Sequence, residues 1–327
     1  MVQALLATCP GEIHLSRVMG PTGQELSAPW AMVDGGSTAI IEMAAAAGLT
    51  LLRPDQRNPG TTTTFGVGQM IISAINAGAQ RIIVGVGGSA TVDGGTGAAQ
   101  ALGLHFNHPK SAMPMTANDL GALTSISWTR RDARLDDTEI LVACDVTNPL
   151  LGPEGAAAVY GPQKGATEEQ VRHLEEGLAH LSALVGGKLH QVAGAGASGG
   201  LAFGLAAFGG ARLVSGIDLV FKLVDFDHRI EQCDLVITGE GKLDHQSFCG
   251  KVVGAVAEKA RLFRVPAVAI VGSNEMAISV LRQRSFYAYS LQQPGTTIEE
   301  AHRQAAQLVT ARASVVARHF ADRRFHS

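Results

Sequence analysis

The chain has 327 residues, 46% of them hydrophobic and 17% charged, which is enough apolar material for two domain cores. A net charge of −3 gives no electrostatic reason to expect nucleic acid or a membrane surface as partner. The four cysteines (Cys9, Cys144, Cys233, Cys249) form no CxxC pair, and no basic region precedes the short apolar run at the N-terminus. Both observations point to free thiols in a reducing cytoplasm and against a secretory leader.

The first elements read as a β-meander: EIHLSRVM (12–19), the turn GPTGQ, PWAMV, the turn DGG (34–36) and STAIIEMAAAAGL. From residue 61 the periodicity changes. The run TTTT is suited to cap a helix whose apolar residues recur at helical spacing until Gly78 stops it. RIIVGVG (81–87) is a continuous apolar strand of the kind buried on both faces of a parallel sheet, and the loop VGVGGSATVDGG follows it. TEILVACDV (138–146) is a second such strand, ending at Asp145. Thr167 and Gln170 form a capping box ahead of an apolar stripe at Val171, Leu174, Leu178, Leu181 and Val185. The uncharged stretch Val192 to Ala211 is too rich in glycine for a membrane span and reads as a buried loop and helix. Beyond about residue 215, strands CDLVITGEG (233–241), VPAVAIVGS (265–273) and SFYAYSL alternate with helices, the last opened by a capping box of Thr297 and Glu300. That alternation predicts an α/β fold with a doubly wound parallel sheet in its second part.

Ligands in open α/β sheets collect beyond the carboxyl ends of strands. Two glycine loops are expected there, VGVGGSATVDGG and VITGEGKLDHQSFCGK (236–251), and free backbone N–H groups in such loops favour an anion such as phosphate. The absence of GxxxxGK[ST], HxH and HExxH argues against a Walker loop and a histidine metal site. GAGASG (194–199) matches GxGxxG but follows no strand, so it is a weak dinucleotide signal. The second loop places Glu240, Lys242, Asp244 and Lys251 together. Phosphoryl transfer needs cations against the phosphate charge, carboxylates for Mg²⁺ and an acid at the attacking hydroxyl. A solvated charged turn has the same residue types. Asp93 reads either as a reacting acid or as an Asx-turn residue, Asp145 likewise as a strand-end turn, and Lys164 in GPQKGA (161–166) as a phosphate contact or a solvated lysine.

Taken in order, IIVGVGGSATVDGGTGAAQALG, ACDVTNPLLGPEGAAAVYGPQKGA, AGAGASGGLAFGL…GIDLV and DLVITGEGKLDHQSFCGK resemble the bacterial type I glycerate kinases; IEMAAAAGL and the TTTT-F-G-V-G segment fit the same family. The resemblance implies a cytoplasmic enzyme that uses ATP and Mg²⁺ to phosphorylate D-glycerate to 2-phosphoglycerate, with neither nucleic acid nor membrane as partner and homo-oligomerisation left open. It implies a Rossmann-like domain and a mixed α/β domain with the site in the cleft between them. Residues 1–215, with the glycine loop 85–97, would be the mixed domain, and 216–327 the C-terminal part of a discontinuous Rossmann-like domain. Asp93 and Asp244 would be the acidic pair, one activating the glycerate hydroxyl and the other engaging Mg²⁺, in either order. Glu240 would be a second metal or orienting group. Backbone at Gly87, Gly88, Ser89, Gly239 and Gly241 would cradle phosphates, with charge from Lys242, Lys251 and Lys164.

Two departures set further expectations. Val92 stands where the family carries Asn, which removes a polar side chain beside Asp93. The family's opening APDSFKGSLSA-like loop and DGGEGT strand end have no counterpart before Val2-Gln3-Ala4, so roughly sixty residues of the Rossmann-like sheet are expected to be missing, exposing apolar faces and unpaired edges. The alternative expectation is a truncated, non-catalytic remnant that binds a nucleotide or small organic acid. A nicotinamide-dependent dehydrogenase using GAGASG is a third.

Overall fold

The computed structural model describes residues 2–109, 113–248, 251–292 and 303–322. Two compact units divide the chain, Met1–Leu219 and Val220–Ser327.

The first unit is built on a six-stranded sheet. Its strands are β1 (Gly11–Met19), β2 (Glu25–Val33), β3 (Thr38–Glu42), β4 (Arg81–Gly85), β7 (Glu139–Ala143) and β8 (Arg212–Val214), side by side in the order β1-β2-β3-β4-β7-β8. The meander of the N-terminal residues supplies the antiparallel pairs β1–β2 and β2–β3, and β3, β4, β7 and β8 run parallel. The difference in sequence texture follows from this. At the edge, β1 keeps five exposed residues, whereas the three middle residues of β4 and of β7 are all buried because helices cover both faces. A short hairpin of β5 (His105–Asn107) and β6 (Ser125–Ser127) lies apart from the main sheet.

In this unit α1 (Val2–Leu6), α2 (Ala44–Ala47), α3 (Phe65–Asn76), α4 (Thr96–Ala101), α5 (Ala156–Tyr160), α6 (Glu168–Val185) and α7 (Ala197–Gly209) follow the strands. The capping box expected at Thr167 and Gln170 opens α6, and Leu174, Leu178 and Leu181 are buried by its apolar stripe. One continuous core joins Ile41, Met70, Ile82, Val142, Leu178 and Phe203. Each such side chain contributes about 1.5–3 kcal/mol on full burial. Val192 to Ala211 is a loop and the helix α7, and among the described residues no helix is long and apolar enough to cross a membrane.

The second unit contains α8 from its midpoint (Gly216–Leu223 spans the boundary), α9 (Phe226–Glu231), α10 (Val252–Phe263), α11 (Ile278–Gln283) and α12 (Ala305–Ala321). Its sheet holds β9 (Val236–Leu243), β10 (Ala267–Asn274) and β11 (Phe286–Ser290), all parallel, in the order β11-β10-β9. Leu243, Val253, Ala257 and Val271 pack together on one face; Val268, Ile270 and Val316 pack on the other. Alternate residues of β10 therefore feed two cores, with α10 over one and α12 over the other, which is the doubly wound arrangement. Cys249 and the capping box of Thr297 and Glu300 lie outside the described residues. Among the described residues, Cys9, Cys144 and Cys233 form no disulfide.

Candidate functional site

In the first unit the parallel strands β3, β4 and β7 end on one side, and the glycine loop begins where β4 stops. Gly87 and Gly88 are exposed at its tip, while Ser89 is 6% exposed and bridges back to Gly48. Gly88 has φ +70, a conformation glycine adopts without steric cost. Its carbonyl accepts from Leu49 N at 2.8 Å, and Ala90 N donates to Ala47 O at 2.9 Å. The tip is thus fixed at both sides against α2 and its exit turn, with backbone open to solvent between.

Asp93 sits deeper. Its side chain is 0% exposed. Oδ2 accepts from Thr64 N at 2.8 Å, Thr64 Oγ1 at 2.7 Å and Gly97 N at 3.3 Å, and Oδ1 accepts from Gly95 N at 3.1 Å. Burial pushes the carboxyl above the ordinary carboxylate range, against the pull of the Thr64, Gly95 and Gly97 donors. A carboxylate so enclosed has no oxygen facing solvent to touch glycerate or a metal. In this arrangement Asp93 ties the N-termini of α3 and α4 to the loop.

Thr64 also departs from its expected use. It occupies the N-cap of α3 but makes no side-chain cap. Its hydroxyl instead donates to Asp93 and accepts from Ala98 N at 2.9 Å. Val92, the departure from the family pattern, is 0% exposed and belongs to the apolar core, so an absent Asn leaves no gap in the donor set around Asp93.

GAGASG has a packing role. Ser198, Gly199 and Gly200 all have positive φ at the start of α7. A Cβ on Gly199 would lie 1.9 Å from Thr91 O, and one on Gly204 would lie 2.4 Å from Gly94 O. Gly94 N donates to Gly199 O at 3.1 Å. The glycines let α7 press directly on the Asp93 turn, and this explains the motif without a dinucleotide.

Lys164 is buried as well. The residue expected to touch a phosphate is 2% exposed, and its Nζ donates to Thr91 O at 2.8 Å. Burial pulls its ammonium down to about 7, opposed by the nearby charge of Asp93.

In the second unit, Gly239, Glu240, Gly241 and Lys242 lie inside β9 and not on a loop. Gly239 pairs with Ile270, Glu240 with Val271 and Lys242 with Ser273. Close strand approach explains Gly239, where a Cβ would lie 2.5 Å from Ile270 O, whereas one on Gly241 would meet nothing within 4 Å. The expected phosphate-cradling loop therefore begins only at Asp244. There Gln246 N donates to Asp244 Oδ1 at 2.9 Å and Asp244 N to Ser247 Oγ at 3.0 Å, forming an Asx turn at the carboxyl end of β9. Lys242 pairs with Glu275 at 2.9 Å, and that hydrogen bond holds its ammonium above the ordinary lysine range. Lys251 Nζ is 3.5 Å from Gln246 Oε1. Glu240 Oε1 is buried and without a hydrogen-bond partner among the described residues.

A mixed sheet and a parallel sheet, each with a glycine or polar turn at a strand's carboxyl end, make an α/β architecture of the class in which ligands collect at those ends. Within it the chain belongs to the glycerate kinase family: that family's model matches residues 1–321, and the protein is a kinase. It is 41% identical over 310 residues to the glycerate 2-kinase of Escherichia coli (strain K12), covering 93% of this chain and 81% of that one. It is 41% identical over 322 residues to a glycerate kinase of Bacillus subtilis (strain 168), covering 97% and 84%. A crystal structure described as glycerate kinase 2 from Salmonella typhimurium LT2 superposes with a TM-score of 0.78 at 37% identity, covering 97% of this chain and 86% of that one. The family match runs from residue 1 to residue 321, and the chain spans 81–86% of the length of these three relatives.

Proposed function

We propose that this chain transfers a phosphoryl group from ATP to D-glycerate and releases 2-phosphoglycerate. The observation that carries the reading is the family match along the chain, together with the open Gly87–Gly88 tip at the carboxyl end of β4. Phosphoryl transfer is largely positioning and charge stabilisation. Backbone at Gly87, Gly88 and Ser89 receives an anionic group of substrate or nucleotide, with Asp93 shaping the loop from within. Lys242 and Lys251 supply positive charge near the Asp244 turn, which also carries the acid for the reaction.

Among the described residues no group of three or more His, Cys, Asp or Glu is placed to hold a metal alone. Mg²⁺ that arrives with a nucleotide needs only one or two carboxylates beside phosphate oxygens and water. The buried, unpartnered Oε1 of Glu240 and the Asp244 carboxylate fit that need. The ion would neutralise charge on the phosphates.

An ADP-release assay with D-glycerate, ATP and Mg²⁺, followed by product analysis, tests the reading. Turnover with 2-phosphoglycerate as product is expected; no ADP release above background overturns it. In the same assay Asp244→Asn should lose roughly a hundredfold or more in kcat with folding intact, about 2.7 kcal/mol in the barrier. Unchanged turnover would remove Asp244 from the assignment.

A further inference from the structure

Lys164 ends the turn Pro162–Lys164 that follows α5. Gly165 closes that turn at φ +96, and a Cβ there would lie 2.4 Å from Arg57 O. The turn is therefore pressed against the chain at residue 57, and the lysine stem runs inward. Its ammonium meets the Thr91 carbonyl at 2.8 Å, with the Tyr160 ring centroid 5.8 Å away. Removing an ammonium from water is costly unless neighbouring groups compensate it. Here the compensation comes from one loop: the Thr91 carbonyl accepts its hydrogen bond, and Asp93, two residues on, supplies the opposing charge. Asp93 is itself held by Thr64, Gly95 and Gly97. Thr91 to Asp93 is thus gripped from two sides, by a cation on the α5 side and by donors from α3 and α4.

We propose that Lys164 is a positioning residue for the Gly87–Ser89 loop: its buried ammonium pins Thr91 and counters Asp93, so that the exposed tip keeps one shape when an anion binds. This rests on the kinase reading of the loop given above. Lys164 reaches no ligand itself. It acts through a backbone carbonyl, and so it should govern the rate more than nucleotide affinity.

Lys164→Met keeps the stem and removes charge and donor. Its kcat for D-glycerate should fall roughly tenfold or more while KM for ATP stays within about threefold. Exchange of the Gly95 and Gly97 amides, which bond to Asp93, should quicken by about tenfold or more relative to amides of β4. Unchanged exchange at both glycines overturns the proposal, as does a loss confined to KM. Lys164→Gln is the second variant, for the case in which methionine prevents folding, because it keeps a donor for Thr91 without the charge. It should fall between wild type and Lys164→Met in both readouts; wild-type kcat together with wild-type exchange overturns the role of the charge. If the wild-type enzyme does not turn over D-glycerate, the kinase reading fails. The exchange measurement, which needs no substrate, then decides the positioning role by itself.

Discussion

Asp93 and Lys164 are removed from water within reach of the same three residues, so small chemical changes at either should have large effects. In Asp93→Asn one acceptor oxygen becomes an amide donor facing groups that are themselves donors, Thr64 N and Gly97 N or Gly95 N according to its orientation. A buried polar group left unsatisfied costs about 1–3 kcal/mol, so with two mismatched donors the expected loss is roughly 3 kcal/mol, measured as a lower urea midpoint. Lys164 predicts a pH dependence. Its folded-state value of about 7 lies below its ordinary 10.5, so between those limits the unfolded chain binds more protons than the folded one. Stability should therefore rise with pH through that window, by at most about 1.4 kcal/mol per pH unit. The Tyr160 phenol beside Lys164 does not imitate the effect, because burial pushes it up and so gives a slope of the opposite sign. Burial holds the Asp93 carboxyl above the ordinary carboxylate range, which gives a slope of the opposite sign to that of Lys164. Melting temperatures of wild type and Lys164→Met from pH 7 to about pH 9 check this, with the variant expected to lose the upward slope.

The elements around the loop show what its glycines are for. Gly199→Ala would push a methyl group to within 1.9 Å of Thr91 O in a residue with φ +70. Overpacking costs about 1–3 kcal/mol and a left-handed side-chain residue about 1–2 more, so loss of roughly 3 kcal/mol or failure to fold is expected. Gly87→Ala is the control: nothing lies within 4 Å of the added carbon, so its urea midpoint should stay within about 0.5 kcal/mol of wild type. The contrast also marks how far the sequence could be read. Continuous apolar runs revealed β4, β7 and β10, and the Thr167 and Gln170 pair revealed α6, because those signals are local. The three-residue strand β8 and the β5–β6 hairpin are too short for a period to register. Gly239 to Lys242 looks like a loop in the sequence because glycines and charges there mimic turn chemistry, whereas all four lie in β9 and Gly239 is set by the tight approach of β10. The burial of Lys164 and the diversion of the Thr64 hydroxyl to Asp93 depend on segments far apart in sequence, so local residue types could not disclose them.

At the scale of the molecule, the two units have separate hydrophobic cores, which makes separable unfolding the physical expectation. The sequence supplies a selective probe. The chain's two tryptophans, Trp30 and Trp128, both lie in the first unit, one 2% and the other 46% exposed. Tryptophan fluorescence therefore follows Met1–Leu219 alone, while far-ultraviolet circular dichroism follows helices and strands of both units. Urea titrations by the two probes should give midpoints that do not coincide, with dichroism showing a second step that fluorescence lacks. Lys164→Met links this to the loop. It removes a contact wholly within the first unit, so it should lower the fluorescence midpoint by an amount equivalent to about 1–3 kcal/mol and leave the second step in place. Coincident transitions in both proteins would mean that the units unfold together, and the pH slope expected for Lys164 would then belong to the whole chain.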